Sequence, residues 1–379
     1  MKIVTIIGAR PQIIKAAALS RAIKNHFSDQ ISEIIVHTGQ HYDANMSQVF
    51  FDELGIPQPN YNLSIGSASH GVQTARMIEG IEEILLKEKP DFIVLYGDTN
   101  STLAGTIAAS KIHIPIAHVE AGLRSFNKKM PEEINRIMCD HASALLFSPT
   151  ITGFNNLKKE GFRVENKKTF TADNPGVFHC GDVMYDNSLF FKEIALAKSN
   201  ILAENDLEET KFILGTIHRN NNTDEPERLN AIFSSILRIA EDFKLDVVLP
   251  LHPRTAKLLE KNLDADLYKR IINEKHLKII EPVSFLDMIA LESNCKLVMT
   301  DSGGVQKEAY FFEKPCIILR SETEWKEIVE EGAAIVVNAD ENKIFAAFEY
   351  FSEYEIMSFP TIFGDGKAAE FICKSMLEN

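Results

Sequence analysis

Acids and cations crowd one short stretch of this sequence. HVEAGLRSFNKKMPEEINR, residues 118 to 136, holds Glu120, Glu132 and Glu133 together with Arg124 and Arg136. Crowded carboxyl groups raise each other's pKa, which lets one of them act as an acid or base near neutrality. Asp98 of YGDTNST stands, like Glu120, directly after an apolar run. An acid at the end of a buried strand needs a partner or a ligand. Asp98, Glu120 and Glu132 are therefore the candidate acid/base set. Glu132 and Glu133 also fit a simpler role: Pro131 suits a first helical position, acids after it complement the helix dipole, and Glu132 can pair with Arg136 one turn on.

A second set differs in chemistry. His218 and Arg219 of GTIHRN, His252 of LHPRT and the run TDSGGVQKE bring histidine, arginine and glycine to the ends of apolar runs. Ser302, Gly303 and Gly304 fall where a helix opens, and free N–H groups with the helix dipole suit phosphate there. Glu308, further along the same segment, could accept hydrogen bonds from a ribose diol. A serine-capped turn, a capped strand-to-helix loop and a rigid His-Pro-Arg turn are the plainer readings of these motifs. Arg10 of GARPQ and Lys15, one helical turn further on, are candidate anion or acid partners in the first half.

The elements that must position these groups are legible from periodicity. Short β-branched runs (KIVTII, EIIVHT, DFIVLYG, IPIAHV, ALLF) alternate with helical patterns such as IIKAAALSRAIKNHF and MIEGIEEILLKEK. That rhythm predicts α/β structure with doubly wound parallel sheets. It breaks across the polar, turn-rich VENKKTFTADNPGVFHCGDVMYDN and resumes with KFILGTI, DVVLPL, LKII, KLVMT, PCIIL and AAIVVN. Two Rossmann-like domains follow: residues 1–172, carrying the acids and completed by a C-terminal helix within 360–379, and residues 173–359. In open parallel sheets ligands bind at the carboxyl ends of strands, where both residue sets lie.

A chain of 379 residues suits two domains. Its formal charge of −14 opposes a broad nucleic-acid or anionic-membrane surface, though not a small anionic ligand. No run approaches the length of a membrane span, and Arg10, Pro11 and Lys15 interrupt the N-terminal apolar segment before it could resemble a signal peptide. The five scattered cysteines include no Cys-x-x-Cys pair, which predicts reduced thiols in the cytoplasm. The first strand is not followed by Gly-x-Gly-x-x-Gly, and no metal-ligand spacing occurs, so neither a dinucleotide cofactor nor a metal is expected.

GARPQIIK, TGQHYDANM, YGDTNSTLAG, HVEAGLRSFNKKMPEEINR, GTIHR, LHPRT, TDSGGVQKEA and FGDGKAAE, in this order along nearly the whole chain, resemble the UDP-N-acetylglucosamine 2-epimerase family. The resemblance implies a fold of glycosyltransferase-B type, a UDP-sugar substrate and a homodimer. It implies inversion at C2 of a UDP-2-acetamido sugar, without NAD or metal, by elimination of UDP to a 2-acetamidoglucal and re-addition, in a pathway to lipopolysaccharide or capsule. By motif position Asp98, Glu120 and Glu132 take the acid/base roles. His218 and Arg10 support the departing diphosphate, Ser302, Gly303 and Gly304 hold phosphates, Glu308 holds the ribose, and Lys15, Arg219 and His252 join the binding set. GQHYD stands where many bacterial members read Gln-His-Arg and bind a regulatory second UDP-GlcNAc, which argues against that regulation. The wording GARPQ, DANMS and GGVQKEA is closer to the branch acting on UDP-2,3-diacetamido-glucuronic acid, whose uronate would want a cation from Lys128, Lys129 or Arg124. A hydrolysing epimerase and a glycosyltransferase of the same fold are the competing readings.

Overall fold

The computed structural model describes residues 1–40, 57–165, 167–251, 253–353 and 358–379. The chain divides into two compact units, Met1–Asn187 with Thr361–Asn379, and Ser188–Pro360. The first unit thus runs past the expected boundary at residue 172. The reason is a strand that sequence reading placed in a polar break: Gly176–His179 completes the first sheet, pairing with Leu145–Ser148.

Among the described residues that sheet has strands β1 (Lys2–Ile7), β2 (Ser32–His37), β3 (Tyr61–Asn62), β4 (Phe92–Tyr96), β5 (Ile116–Val119), β6 (Leu145–Ser148) and β7 (Gly176–His179). Their order is β3-β2-β1-β4-β5-β6-β7, every pairing parallel. β4 is buried along its whole length. Such continuous apolar runs are what a sheet covered on both faces demands. The covering helices include α1 (Arg10–Ala22), α2 (His70–Glu88), α3 (Asn100–Lys111), α4 (Pro131–Ala142) and α5 (Ile151–Lys159).

The C-terminal helix Ala368–Leu377 belongs to this unit and packs on α1. Asp186 accepts hydrogen bonds from its first free amides, Ala368 at 3.2 Å and Ala369 at 2.8 Å. An acid there satisfies orphan donors and favours the dipole. Phe371 of the same helix meets Phe147 of β6 and Phe178 of β7 edge-on.

In the second unit, β8 (Phe212–Thr216), β9 (Asp246–Pro250), β10 (Leu277–Ile280), β11 (Leu297–Thr300), β12 (Cys316–Ile318) and β13 (Ala334–Val336) form a parallel sheet. Its order is β10-β9-β8-β11-β12-β13. The helix Pro226–Phe243 buries Leu229, Ile232, Phe233, Ile236, Leu237 and Ala240, a helical-period stripe, against a core that includes Ile344 and Phe348 of the helix Glu341–Glu353. Among the described residues no helix is long and apolar enough to cross a membrane.

Candidate functional site

In the first unit the candidate residues gather at the carboxyl ends of β1, β4 and β5. The turn after β1 is held by Gln12, the third residue of α1. Its carbonyl oxygen accepts from the amides of Gly8 at 2.9 Å and Ala9 at 3.2 Å, and its amide donates to Tyr96 O and Thr102 Oγ1, both at 3.0 Å. All four hydrogen-bonding capacities of a buried glutamine are thereby used, and they tie α1 to β4. Gly8 is required in this turn. A β-carbon there would lie 2.1 Å from Thr38 Oγ1 and 2.2 Å from Ser101 Oγ.

With α1 fixed in this way, Lys15 Nζ forms an ion pair with Glu120, both side chains about seven-eighths buried at 12% and 13% exposure. Glu120 adopts φ 75°, a left-handed conformation that an acid rarely takes. The conformation is held by the amides of Glu120 and Ala121, which both donate to Phe147 O at 3.0 Å. Gly97 leaves space beside the pair, since a β-carbon there would approach Lys15 Nζ to 3.3 Å.

Asp98 pairs with Arg136, which also donates from Nη1 to Glu133 Oε2 at 2.9 Å. Asn135 Nδ2 donates to Asp98 O at 2.8 Å. Buried Glu133, not Glu132, is the structural acid of the Pro-Glu-Glu run. It accepts from the amides of Ser125 and Phe126, each at 2.9 Å. Burial opposes its charge, but those amides and Arg136 hold its pKa below the usual carboxylate value. Glu132 is exposed and makes no ion pair among the described residues, so the expected alternative pairing with Arg136 belongs to Glu133. Arg10 is exposed at the first position of α1.

A buried chain of charge lies behind these acids. His118, Asp140 and Arg124 side chains are no more than 1% exposed, with His118 Nδ1 2.7 Å from Asp140 Oδ1, and Arg124 Nη2 2.7 Å from both Asp140 Oδ2 and Glu160 Oε2. Arg124 is thereby committed within the first unit, which removes it from the cations available to a substrate carboxylate. Lys128 and Lys129 remain exposed.

The second unit builds its site around Asp301, the residue after β11, wholly buried. It accepts from the amides of His218 at 3.2 Å and Arg219 at 3.1 Å and from Asn222 Nδ2 at 3.0 Å. His218 Nδ1 lies 3.0 Å from Asp301 Oδ1 while the ring is 58% exposed, so Nε2 is the nitrogen turned outward. Burial would raise the Asp301 pKa, but His218, Asn222 and the Arg219 amide together hold it below the ordinary range. Ser302 caps the helix Gly303–Phe311, leaving Gly303 and Gly304 in its first turn. A β-carbon on Gly304 would lie 4.0 Å from Glu308 Oε2, so the acid stands beside the glycine turn. Wholly buried Glu292 lies behind it, both oxygens without a hydrogen-bond partner among the described residues. Burial and then the charge of Glu308 push its pKa well above the usual range. Arg219 is exposed, and His252, with Tyr42 and Asp43, lies outside the described residues. No group of three or more His, Cys, Asp or Glu among the described residues could hold a metal ion.

Paired acid and cation at strand ends, with an anion-suited helix terminus in a second parallel unit, call for comparison with known enzymes. The profile described as UDP-N-acetylglucosamine 2-epimerase matches residues 22–377. The chain belongs to the UDP-N-acetylglucosamine 2-epimerase family. It is an isomerase, and its architecture is of glycosyltransferase-B type. It is 52% identical to a UDP-N-acetylglucosamine 2-epimerase homolog of Methanococcus maripaludis over 353 residues, 93% of each chain. It is 47% identical to the UDP-2,3-diacetamido-2,3-dideoxy-D-glucuronate 2-epimerase of Pseudomonas aeruginosa over 378 residues, 99% of this chain and 100% of that one. The crystal structure of the Methanocaldococcus jannaschii UDP-GlcNAc 2-epimerase in complex with UDP-GlcNAc and UDP matches with a TM-score of 0.80 at 42% identity, covering 100% of both chains.

Sequence reading missed three residues of this epimerase that organise its site. Gln12 and Asp301 sit inside motifs already singled out: Gln12, third in α1, makes the local capping contact to the Ala9 amide, whereas Asp301 turns inward to amides that no local pattern announces. Asp140 lies on α4 beyond the charged stretch, and only the fold brings it to His118.

Proposed function

We propose that this epimerase interconverts UDP-GlcNAc and UDP-ManNAc without hydrolysis, by anti elimination of UDP to a 2-acetamidoglucal and re-addition after reprotonation at C2. The observation that carries the reading is the pair of carboxylates at the ends of neighbouring strands, Asp98 after β4 and Glu120 in the turn after β5, each held by its own cation, Arg136 and Lys15. A C2 proton needs a positioned base on one face and an acid on the other, and Glu132, exposed nearby in sequence, is proposed as the third acid. In the second unit, the helix terminus at Ser302, Gly303 and Gly304 suits the diphosphate. Glu308 is assigned to the ribose. His218, Arg219, His252, Arg10 and Lys15 are assigned to charge stabilisation on the departing UDP.

The 47% likeness to the P. aeruginosa enzyme supports a second reading, the same epimerisation on UDP-2,3-diacetamido-2,3-dideoxy-glucuronic acid. Proton NMR in D2O with each UDP-sugar tests both. Deuterium entering C2 of the substrate that also yields the manno epimer identifies it, and free ManNAc with UDP would instead mark a hydrolysing enzyme. If neither sugar exchanges or epimerises, the proposal fails. On the uronate reading, replacing Lys128 and Lys129 by alanine raises KM for the uronate alone. We further place the enzyme in the cytoplasm, supplying capsule or lipopolysaccharide synthesis, as a homodimer. Met130, the residue that precedes α4, and Ile134 and Met138 within it, four residues apart and 40%, 39% and 44% exposed, form an apolar stripe that a second copy would cover.

A further inference from the structure

The acid/base reading leaves one buried histidine beside the paired acids without a task. His118 lies in β5, two residues before Glu120, and is 0% exposed. Its Nε2 is 2.8 Å from the carbonyl oxygen of Gly97 and its Nδ1 is 2.7 Å from Asp140 Oδ1. A carbonyl only accepts, so Nε2 carries a hydrogen. Asp140 already receives the Gly122 amide at 3.2 Å and Arg124 Nη2 at 2.7 Å. It is thus an ionised acceptor, and Nδ1 carries a hydrogen as well. Either neutral tautomer would set a ring lone pair against an oxygen with no water to intervene, a costly arrangement in a buried network.

Gly97 is the residue before Asp98, with φ 61°, and its amide donates to Val119 O at 3.0 Å. His118 thus closes the opposite side of the same turn. We propose that His118 is a permanently charged positioning residue for epimerisation, whose imidazolium holds the Gly97 carbonyl and so fixes the turn that presents Asp98 to Arg136 and leaves room for the Lys15–Glu120 pair. The inference deepens the proposed function and rests on it.

The surrounding charges agree. Cys139 and Asp140 face the ring from α4, Arg124 and Glu160 extend the chain of alternating sign beyond Asp140, and the Lys15–Glu120 pair flanks Gly97. Burial opposes the ring's charge, but contact with Cys139 and Asp140 outweighs it and holds the imidazolium well above the usual histidine range. Asp140, in turn, is held below the carboxylate range against its burial by His118 and Arg124.

Nitrogen-15 spectra of the histidine rings in the full chain, recorded from pH 6 to 9, test the charge. The His118 signals are assigned by their loss in His118→Gln. The expected result is two protonated ring nitrogens throughout. A ring that loses one proton near the ordinary histidine pKa of about 6.5 overturns the proposal. The Asp140→Asn variant tests the consequence. With the carboxylate gone the ring titrates inside this range, and kcat for C2 epimerisation follows the protonated fraction, falling about tenfold per pH unit above the midpoint while KM stays within threefold. A merely structural histidine predicts a kcat that ignores the midpoint, and that result overturns the proposal. Should Asp140→Asn fail to fold, His118→Gln decides: at least a tenfold lower kcat is expected, and turnover within threefold of the parent refutes it. An active enzyme with a neutral ring removes this inference alone, whereas a wild-type enzyme inert toward both UDP-sugars removes the epimerase proposal while the spectra still report the ring's charge.

Discussion

Replacing Asp301 by asparagine changes one buried atom and disturbs four contacts that shape the loop after β8. The carboxylate accepts from the amides of His218 and Arg219 and from Asn222, and holds the His218 ring at 3.0 Å. A hydrogen bond to a charged group contributes about 1.5–3 kcal/mol, against about 1 kcal/mol for a neutral one. Three backbone and side-chain donors would move from the first class to the second. The loss is then roughly 3 kcal/mol, which for a unit of this size is a fall in Tm of about 6–12 °C. The new amide nitrogen also confronts His218 Nδ1 with a second donor. The ring must turn or change tautomer, and on the proposed assignment the nitrogen offered to the departing diphosphate is no longer fixed by Asp301. Outer partners of metal-ligating histidines govern about 10–100-fold in affinity or activity, and by analogy Asp301 orients His218 in the same way. We expect kcat for deuterium exchange at C2 to fall about 100-fold, equivalent to about 2.7 kcal/mol of barrier, with UDP affinity within threefold. Calorimetry of the variant and NMR of the exchange reaction read the two effects separately. A variant that melts within 2 °C of the parent and turns over within threefold of it would refute this account of the loop, with about 2 °C being less than a 1 kcal/mol change.

Glu133→Gln removes a charged acceptor from the Ser125 and Phe126 amides and from Arg136, so it lowers stability by roughly 2–4 kcal/mol in urea unfolding. Glu132→Gln, at an exposed side chain, leaves stability within about 0.5 kcal/mol and acts on turnover alone; equal melting of the two variants would contradict the assignment. Gly8→Ala drives a β-carbon to 2.1 Å from Thr38 Oγ1, and overpacking of this kind costs about 1–3 kcal/mol. An unchanged Tm would show that the β1–α1 turn can open. Asp186 is pushed up to about 6, first by burial, with the Ala369 and Ala368 amides and Arg21 opposing. A raised carboxyl favours folding most below its unfolded pKa of about 4, and that contribution is lost as pH rises through about 6. Unfolding of the parent and of Asp186→Asn at pH 4 and pH 7 should therefore show the parent losing roughly 2 kcal/mol relative to the variant on going up; a gap that does not move with pH rules out this shift.

The parts of the molecule that the sequence announced are those whose physics is local. β1, β4, β8 and β11 were visible as apolar runs because a sheet covered on both faces buries nearly every residue of such strands. β7 was not visible. Gly176, Val177, Phe178 and His179 show neither alternation nor a long apolar run, and the strand exists because Phe178 stacks on Phe147 and meets Phe170 and Phe371, residues far apart in the chain. The candidate site divides along the same line. Glu120 and Asp98 could be picked out because an acid directly after a buried strand is locally anomalous. The choice between Glu132 and Glu133 could not be made, since adjacent helical residues differ by 100° in direction and only the packed loop at Ser125 and Phe126 says which one turns inward. Arg124, on sequence alone a cation open to a ligand, is claimed by Asp140 of α4 and by Glu160 just after α5. Local anomaly thus exposes the acids assigned to the substrate, whereas Asp140 and Asp301, which hold neighbouring groups, look ordinary in sequence because their partners are brought near only by the fold.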